Sequence, residues 1–187
     1  MINANFTAEL HCRYGQIGVA DTSFSEHFIT SADEDGWLCA QSWRPKGREK
    51  AFKAVRFAFS FIEQAGGRAH YYINCIDNWD YKGARLERNS NGWLGLYGTH
   101  VIGRLTEALN PANLFGRQDF WKIEQPPEWD GSPNSVEELE FYLRDHLGHR
   151  VAKAKTHRND LGTGYYLNAG ETDSEVLQFT LRNLDRV

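Results

Sequence analysis

Apolar and polar residues alternate strictly from Asn5 to Tyr14, with Phe6, Ala8, Leu10, Cys12 and Tyr14 on one side and Thr7, Glu9, His11 and Arg13 on the other. A period of two is the pattern of a half-buried strand. A second strand is predicted over 25–30, and residues 32–36, which end in Asp-Gly, read as a turn feeding a third strand over 37–43.

After Pro45 and Gly47 the spacing changes. Phe52, Val55, Phe59 and Ile62 recur at intervals of three and four, flanked by Ala51, Ala54, Ala58 and Phe61, while Glu49, Lys53, Arg56, Ser60 and Glu63 form a polar stripe. This predicts a central apolar helix over 48–64, ended by Gly66-Gly67 and buried against the sheet. Tyr71, Ile73 and Cys75 then suggest another strand. Segments 83–88 and 93–98 look like two more, joined through Asn89-Ser90-Asn91-Gly92, whose Asn-Gly pair favours a hairpin.

Further helices are expected at 99–109, stopped before Pro111, and at 136–147, where Ser135 and Glu138 fit a capping box and Gly148 a stop. A last helix over 173–184 is suggested by Thr172 and Glu175 as a second box, with Val176, Leu177, Phe179, Leu181 and Leu184 on its apolar side. Short strands at 120–123 and 165–167 complete the pattern. The expected fold is therefore one α+β domain over 1–187, mainly an antiparallel sheet packed by the 48–64 helix. The rigid Pro-rich loop at 125–133 is the best candidate linker.

Composition agrees with a packed core: hydrophobic residues make up 41% of the 187, and six Trp, eight Tyr and eleven Phe supply large rings. The amino terminus has no basic cluster followed by an apolar run, and no window approaches a membrane span. Three widely spaced cysteines, Cys12, Cys39 and Cys75, suit buried thiols in a reducing compartment, so a cytoplasmic location is expected. The net charge of −4 argues against general nucleic-acid binding.

Charge is nevertheless segregated. Arg44, Lys46, Arg48, Lys50, Lys53 and Arg56 stand against Glu49 alone, whereas Glu124, Glu128, Asp130, Glu137, Glu138 and Glu140 have no base among them. Arg44, Lys46, Arg48 and Lys50 precede the expected 48–64 helix, where free backbone amides attract anions, and form a candidate phosphate-binding loop. No Walker loop, nucleophile elbow or Cys-x-x-Cys motif accompanies it, and neither cofactor nor metal is expected. His146 and His149 are three apart with His157 downstream, but Gly148 interrupts the spacing that would aim both rings at one metal.

Two loop tryptophans are bracketed by acids: Trp79 with Asp77 and Asp80, and Trp129 with Glu128 and Asp130. An aromatic anchor inside an acidic rim fits a basic protein partner. The leading expectation from sequence is thus a non-enzymatic inhibitor or immunity-type protein that neutralises a partner through this surface. The alternative is a small enzyme for a phosphorylated or nucleotide substrate, gripping phosphate with the basic loop and using His70 or His100 as acid or base.

Overall fold

The alternation from Phe6 onward sets the pattern of the whole chain. In the computed structural model, which describes residues 3–21, 36–43, 52–77, 81–97, 120–124, 139–158, 162–170 and 173–187, strand β1 (Phe6–Cys12) buries Phe6, Ala8 and Leu10 and leaves Thr7, Glu9 and His11 half-exposed. It is followed by β2 (Gly15–Asp21), β3 (Gly36–Ala40), a single 3-10 turn at Gln41–Trp43, β4 (Phe52–Ala54), β5 (Arg56–Ala65) and β6 (Arg68–Cys75). Then come β7 (Arg85–Arg88), β8 (Leu94–Tyr97), β9 (Trp121–Glu124), β10 (Tyr142–Arg144), β11 (Ala152–Arg158), β12 (Gly162–Asn168), β13 (Glu175–Val176) and β14 (Phe179–Arg186).

The expected α+β class is corrected by this order: among the described residues no helix reaches seven residues, and the fold is all-β. The residues of the expected 48–64 helix that are described form β4 and β5. Val55, Phe57 and Phe59 are buried while Arg56, Ala58 and Ser60 face outward, a period of two. Phe52, Val55, Phe59 and Ile62 satisfy helical spacing as well, but β-branched and aromatic side chains fit a pleated surface better than a helix. Ile62, placed on the apolar face by the helical reading, is the extra residue of a bulge between Phe61 and Glu63 and is 38% exposed. Gly66 and Gly67, with φ of 58° and 74°, end no helix; they form the two-residue turn of the β5–β6 hairpin, where two positive φ values match the strand twist.

The other helices fail for similar reasons. Within the expected 136–147 helix, Phe141 and Leu143 are buried and alternate with Tyr142 and Arg144 in β10 and its approach. Within 173–184, Phe179 and Leu181 alternate with Thr180 and Arg182 along β14, and Val176 is 44% exposed, which breaks the supposed apolar stripe. The helix expected at 99–109 and the strand at 25–30 lie outside the described residues.

Seven strands close into a barrel in the order β6-β5-β1-β2-β3-β8-β7, with β7 returning to β6 through the pair Asn74↔Arg85. Every strand pairing among the described residues is antiparallel. Strand β14 flanks β1 along its length, β4 adds to β2, and β9 and β10 extend the sheet from β6. Closure removes the exposed edges that an open sheet would carry. Rings fill the core: Phe6 stacks on Phe59 at 4.6 Å, Tyr71 meets both edge-on, and the fully buried Trp121 donates its indole N–H to the Leu86 carbonyl at 2.7 Å.

A separate three-stranded sheet, β12-β11-β13, packs on β3 through β12. Trp37 of β3 stacks on Trp93 at 5.5 Å and meets Tyr166 of β12 edge-on at 5.3 Å. The Lys153 ammonium of β11 sits 4.1 Å from the Tyr14 ring and 4.4 Å from Tyr165, a cation–π strut between the two sheets. The cleft described next opens where this second sheet meets the β7–β8 hairpin.

Candidate functional site

The β7–β8 hairpin is held by its own asparagine. The Asn89 side-chain oxygen accepts the backbone N–H groups of Asn91 at 2.9 Å and Trp93 at 3.0 Å, a local turn that Asn makes readily. Gly92 takes φ +84°, and a Cβ there would lie 2.8 Å from the Asn168 side-chain oxygen. Glycine is therefore required both for backbone shape and for the close approach to β12. The approach is sealed when Ala169 N–H donates to the Gly92 carbonyl at 2.7 Å and Asn168 donates to the Asn91 carbonyl at 3.1 Å.

A second turn, after β10, supplies the chemistry. Asp145 N–H donates to the His149 carbonyl, Gly148 N–H to the Asp145 carbonyl, and His149 N–H to Asp145 Oδ1 at 2.8 Å. The other carboxylate oxygen, Oδ2, accepts from Arg88 Nη1 at 2.7 Å and faces His149 Nδ1 at 3.0 Å. Arg88 Nη1 also donates to the Ala169 carbonyl at 2.7 Å. Asp145 is 1% exposed. Burial pushes its carboxyl up, but hydrogen bonds from the His149 ring and backbone and from Arg88 together outweigh burial and hold it below the ordinary value. The Asp145 carboxyl is therefore ionised in place.

The network also assigns the imidazole tautomer. Arg88 Nη1 spends its two hydrogens on Asp145 and the Ala169 carbonyl, and the ionised Asp145 only accepts, so Nδ1 carries the hydrogen and donates it to Asp145; in the neutral ring Nε2 is then the basic nitrogen. His149 and Arg88 line a cleft of about 440 Å³, together with Trp93, Asn168, Lys155 and Ser174. Its walls can meet an anion with Lys155, lay a flat ring against Trp93 and present an oriented imidazole.

Of the acidic, Trp-bearing residues singled out from the sequence, only Asp77 is described. Its Oδ1 accepts the Arg56 backbone N–H at 2.8 Å, fastening the start of β5. Trp79, Asp80, Glu128, Trp129 and Asp130, and the basic residues Arg44, Lys46, Arg48 and Lys50, lie outside the described residues, as does His100. His70 is buried on β6, 3.2 Å from Glu63 and tilted against the Phe120 ring at 5.0 Å, away from the cleft. His146 and His149 diverge: the ring of His146 approaches Phe120 at 6.3 Å while His149 turns to Asp145. Arg88, Asp145, Lys155 and Asn168 were not singled out by sequence.

Comparison of the chain with family models, curated proteins and solved structures returned no match. Among the described residues no helix is long and apolar enough to cross a membrane, and no three metal-ligating side chains converge.

Proposed function

We propose that the protein binds a small phosphorylated compound of nucleotide size in the cleft between the β7–β8 hairpin and the second sheet. The observation that carries this reading is the grouping of Arg88, His149 and Lys155 on the walls of a single cleft, with the Trp93 ring beside them. A volume of about 440 Å³ lies in the usual range for small-molecule sites. The Trp93 ring is held by stacking on Trp37, so a flat base meets a surface that is already ordered. This retains the phosphorylated substrate class of the sequence-based alternative but moves it from the Arg44–Lys50 segment to the cleft. The three free thiols, Cys12, Cys39 and Cys75, suit a reducing compartment, and the same reading assigns the protein to the cytoplasm.

The test is thermal stabilisation by inorganic phosphate, uridine monophosphate and adenosine monophosphate. Ligand at a hundred times its Kd stabilises by about 2.7 kcal/mol, which raises the melting temperature of a chain this long by roughly 5–11 °C. Lys155→Ala is expected to weaken binding about tenfold. No shift with any of the three anions, or identical shifts in Lys155→Ala, would refute the reading.

A further inference from the structure

The imidazole of His149 is arranged for more than charge. Its Nδ1–H is spent on Asp145, its backbone N–H is fixed by the same carboxylate, and Nε2 has no partner among the described residues. An imidazole held in one tautomer by a buried carboxylate is a general base with a defined proton-accepting atom. The charged groups facing it are Asp145 within its own turn, Arg88 from β7 and, lining the same cleft, Lys155 from β11. Arg88 is tied down by Asp145 and the Ala169 carbonyl, which makes it a positioning residue; the exposed Lys155 is the cation left to meet a phosphate.

We infer that the cleft cleaves a ribonucleotide phosphodiester by attack of the substrate's own 2′-hydroxyl. The inference rests on the anion-binding reading above and names its reaction. His149 Nε2 removes the 2′-hydroxyl proton, the 2′-oxygen forms a bond to phosphorus, and the bond from phosphorus to the 5′-oxygen breaks. The 5′-oxygen leaves with a proton taken from water, and the imidazolium returns its proton to the hydroxide so formed. The products are a 2′,3′-cyclic phosphate and a free 5′-hydroxyl, with nothing oxidised or reduced. Because the nucleophile belongs to the substrate, the site has three things to supply: a base in His149, a cation for the developing phosphorane charge in Lys155, and a stacking surface in Trp93. Its small volume selects a short, unpaired stretch over a duplex, in keeping with the net charge of −4.

The experiment incubates the full chain with uridylyl-(3′→5′)-adenosine and, separately, with its 2′-deoxyuridine analogue, and follows products by chromatography and binding by calorimetry. The expected result is a cyclic phosphate from the ribo compound, none from the deoxy analogue, and a loss of about 100-fold or more in kcat for His149→Gln with analogue affinity within threefold of the parent. Asp145→Asn, which no longer enforces the tautomer, is expected to lower kcat with KM little changed; Lys155→Ala, an exposed position that does not threaten folding, is expected to lose at least tenfold. Binding of the deoxy analogue without cleavage of the ribo compound overturns this inference and leaves the binding reading standing. Failure to bind either compound overturns both. Equal cleavage of the two compounds, or full activity in His149→Gln, overturns the assigned chemistry.

Discussion

Replacing Arg88 by Met isolates the energetics of the buried pair. Met keeps the aliphatic bulk of the side chain but removes the guanidinium, leaving the Asp145 carboxylate 1% exposed with only His149 to satisfy it. Stranding one member of a buried ion pair costs about 3–5 kcal/mol, and the Ala169 carbonyl loses its donor as well. For a chain of 187 residues that is a fall in melting temperature of roughly 6–20 °C. The pH dependence gives the sharper test. In the parent protein the Asp145 carboxyl lies below its ordinary value, so its contribution is present above the unfolded pKa near 4 and is lost as pH falls through the lower folded pKa. Without Arg88 one of the hydrogen bonds that lower the carboxyl is gone while burial stays, so the folded carboxyl rises from its parent value and the variant gains relative to the parent on acidification. Urea denaturation followed by Trp fluorescence at pH 7 and pH 4 should therefore show the gap between the two proteins shrinking at the lower pH. Adding Asp145→Asn should restore about 1.5 kcal/mol or more, because the stranded charge disappears. A single-variant cost below about 1 kcal/mol, or a gap independent of pH, would refute the account.

Two further perturbations probe the frame. In Glu124, hydrogen bonding to Arg144, reinforced by Arg150, outweighs burial and holds the carboxyl at about 2, so its stabilisation is present above about 4.5 and lost as pH falls toward 2; Glu124→Gln should cost about 2–3 kcal/mol at pH 7 in urea denaturation, and a cost that persists at pH 2 would contradict this. Gly18→Ala would put a Cβ 2.3 Å from the Lys53 carbonyl and 2.6 Å from the Phe52 ring, so β4 must separate from β2; a loss of about 1–3 kcal/mol is expected, and an unchanged denaturation midpoint would show that β4 yields freely.

Where one side of a strand faces the core and the other faces water, the sequence announced the strand. Phe6, Ala8 and Leu10 alternate strictly, and the Asn89–Gly92 hairpin was legible because the backbone there needs the residues it has. Strand β3 was legible from the Asp-Gly turn ahead of it rather than from alternation, and its partner β2 was not read at all. All five residues of β3 are buried, and Gly15, Gly18 and Ala20 thin the alternation of Ile17 and Val19 in β2, so periodicity is faint. The 52–65 segment failed for a different reason. Two overlapping sets of apolar residues compete there, Phe52, Val55, Phe59 and Ile62 at helical spacing and Val55, Phe57, Phe59 and Phe61 at a period of two, and only the abundance of Phe and Val, with a glycine pair suited to a type I′ turn, argues for the strand.

The cleft was illegible for a reason of topology. Arg88, Asp145, Lys155 and Asn168 come from β7, a turn, β11 and β12, and no local spacing joins them. The histidine pair at 146 and 149 drew notice as a metal pattern, whereas the informative spacing is Asp145 to His149, which closes a turn and orients a ring in one stroke. The position of this group in the barrel explains why its members are so deeply committed. Strand β7 pairs with β8 at four positions but with β6 at one, Asn74↔Arg85, beside which Cys75 bonds to the backbone of Gly83 and Ala84; among the described residues no ladder to β6 continues along Leu86–Arg88. Side chains take over: Trp121 of β9 reaches the Leu86 carbonyl, and two residues further along β7, Arg88 reaches Asp145 in the turn that follows β10. The ion pair that positions His149 thus also latches the barrel where its backbone pairing runs out. Ligand that enters the cleft and favours the positioned imidazole must then also favour the closed seam, so binding and resistance to unfolding should be coupled through Arg88 rather than merely coincide.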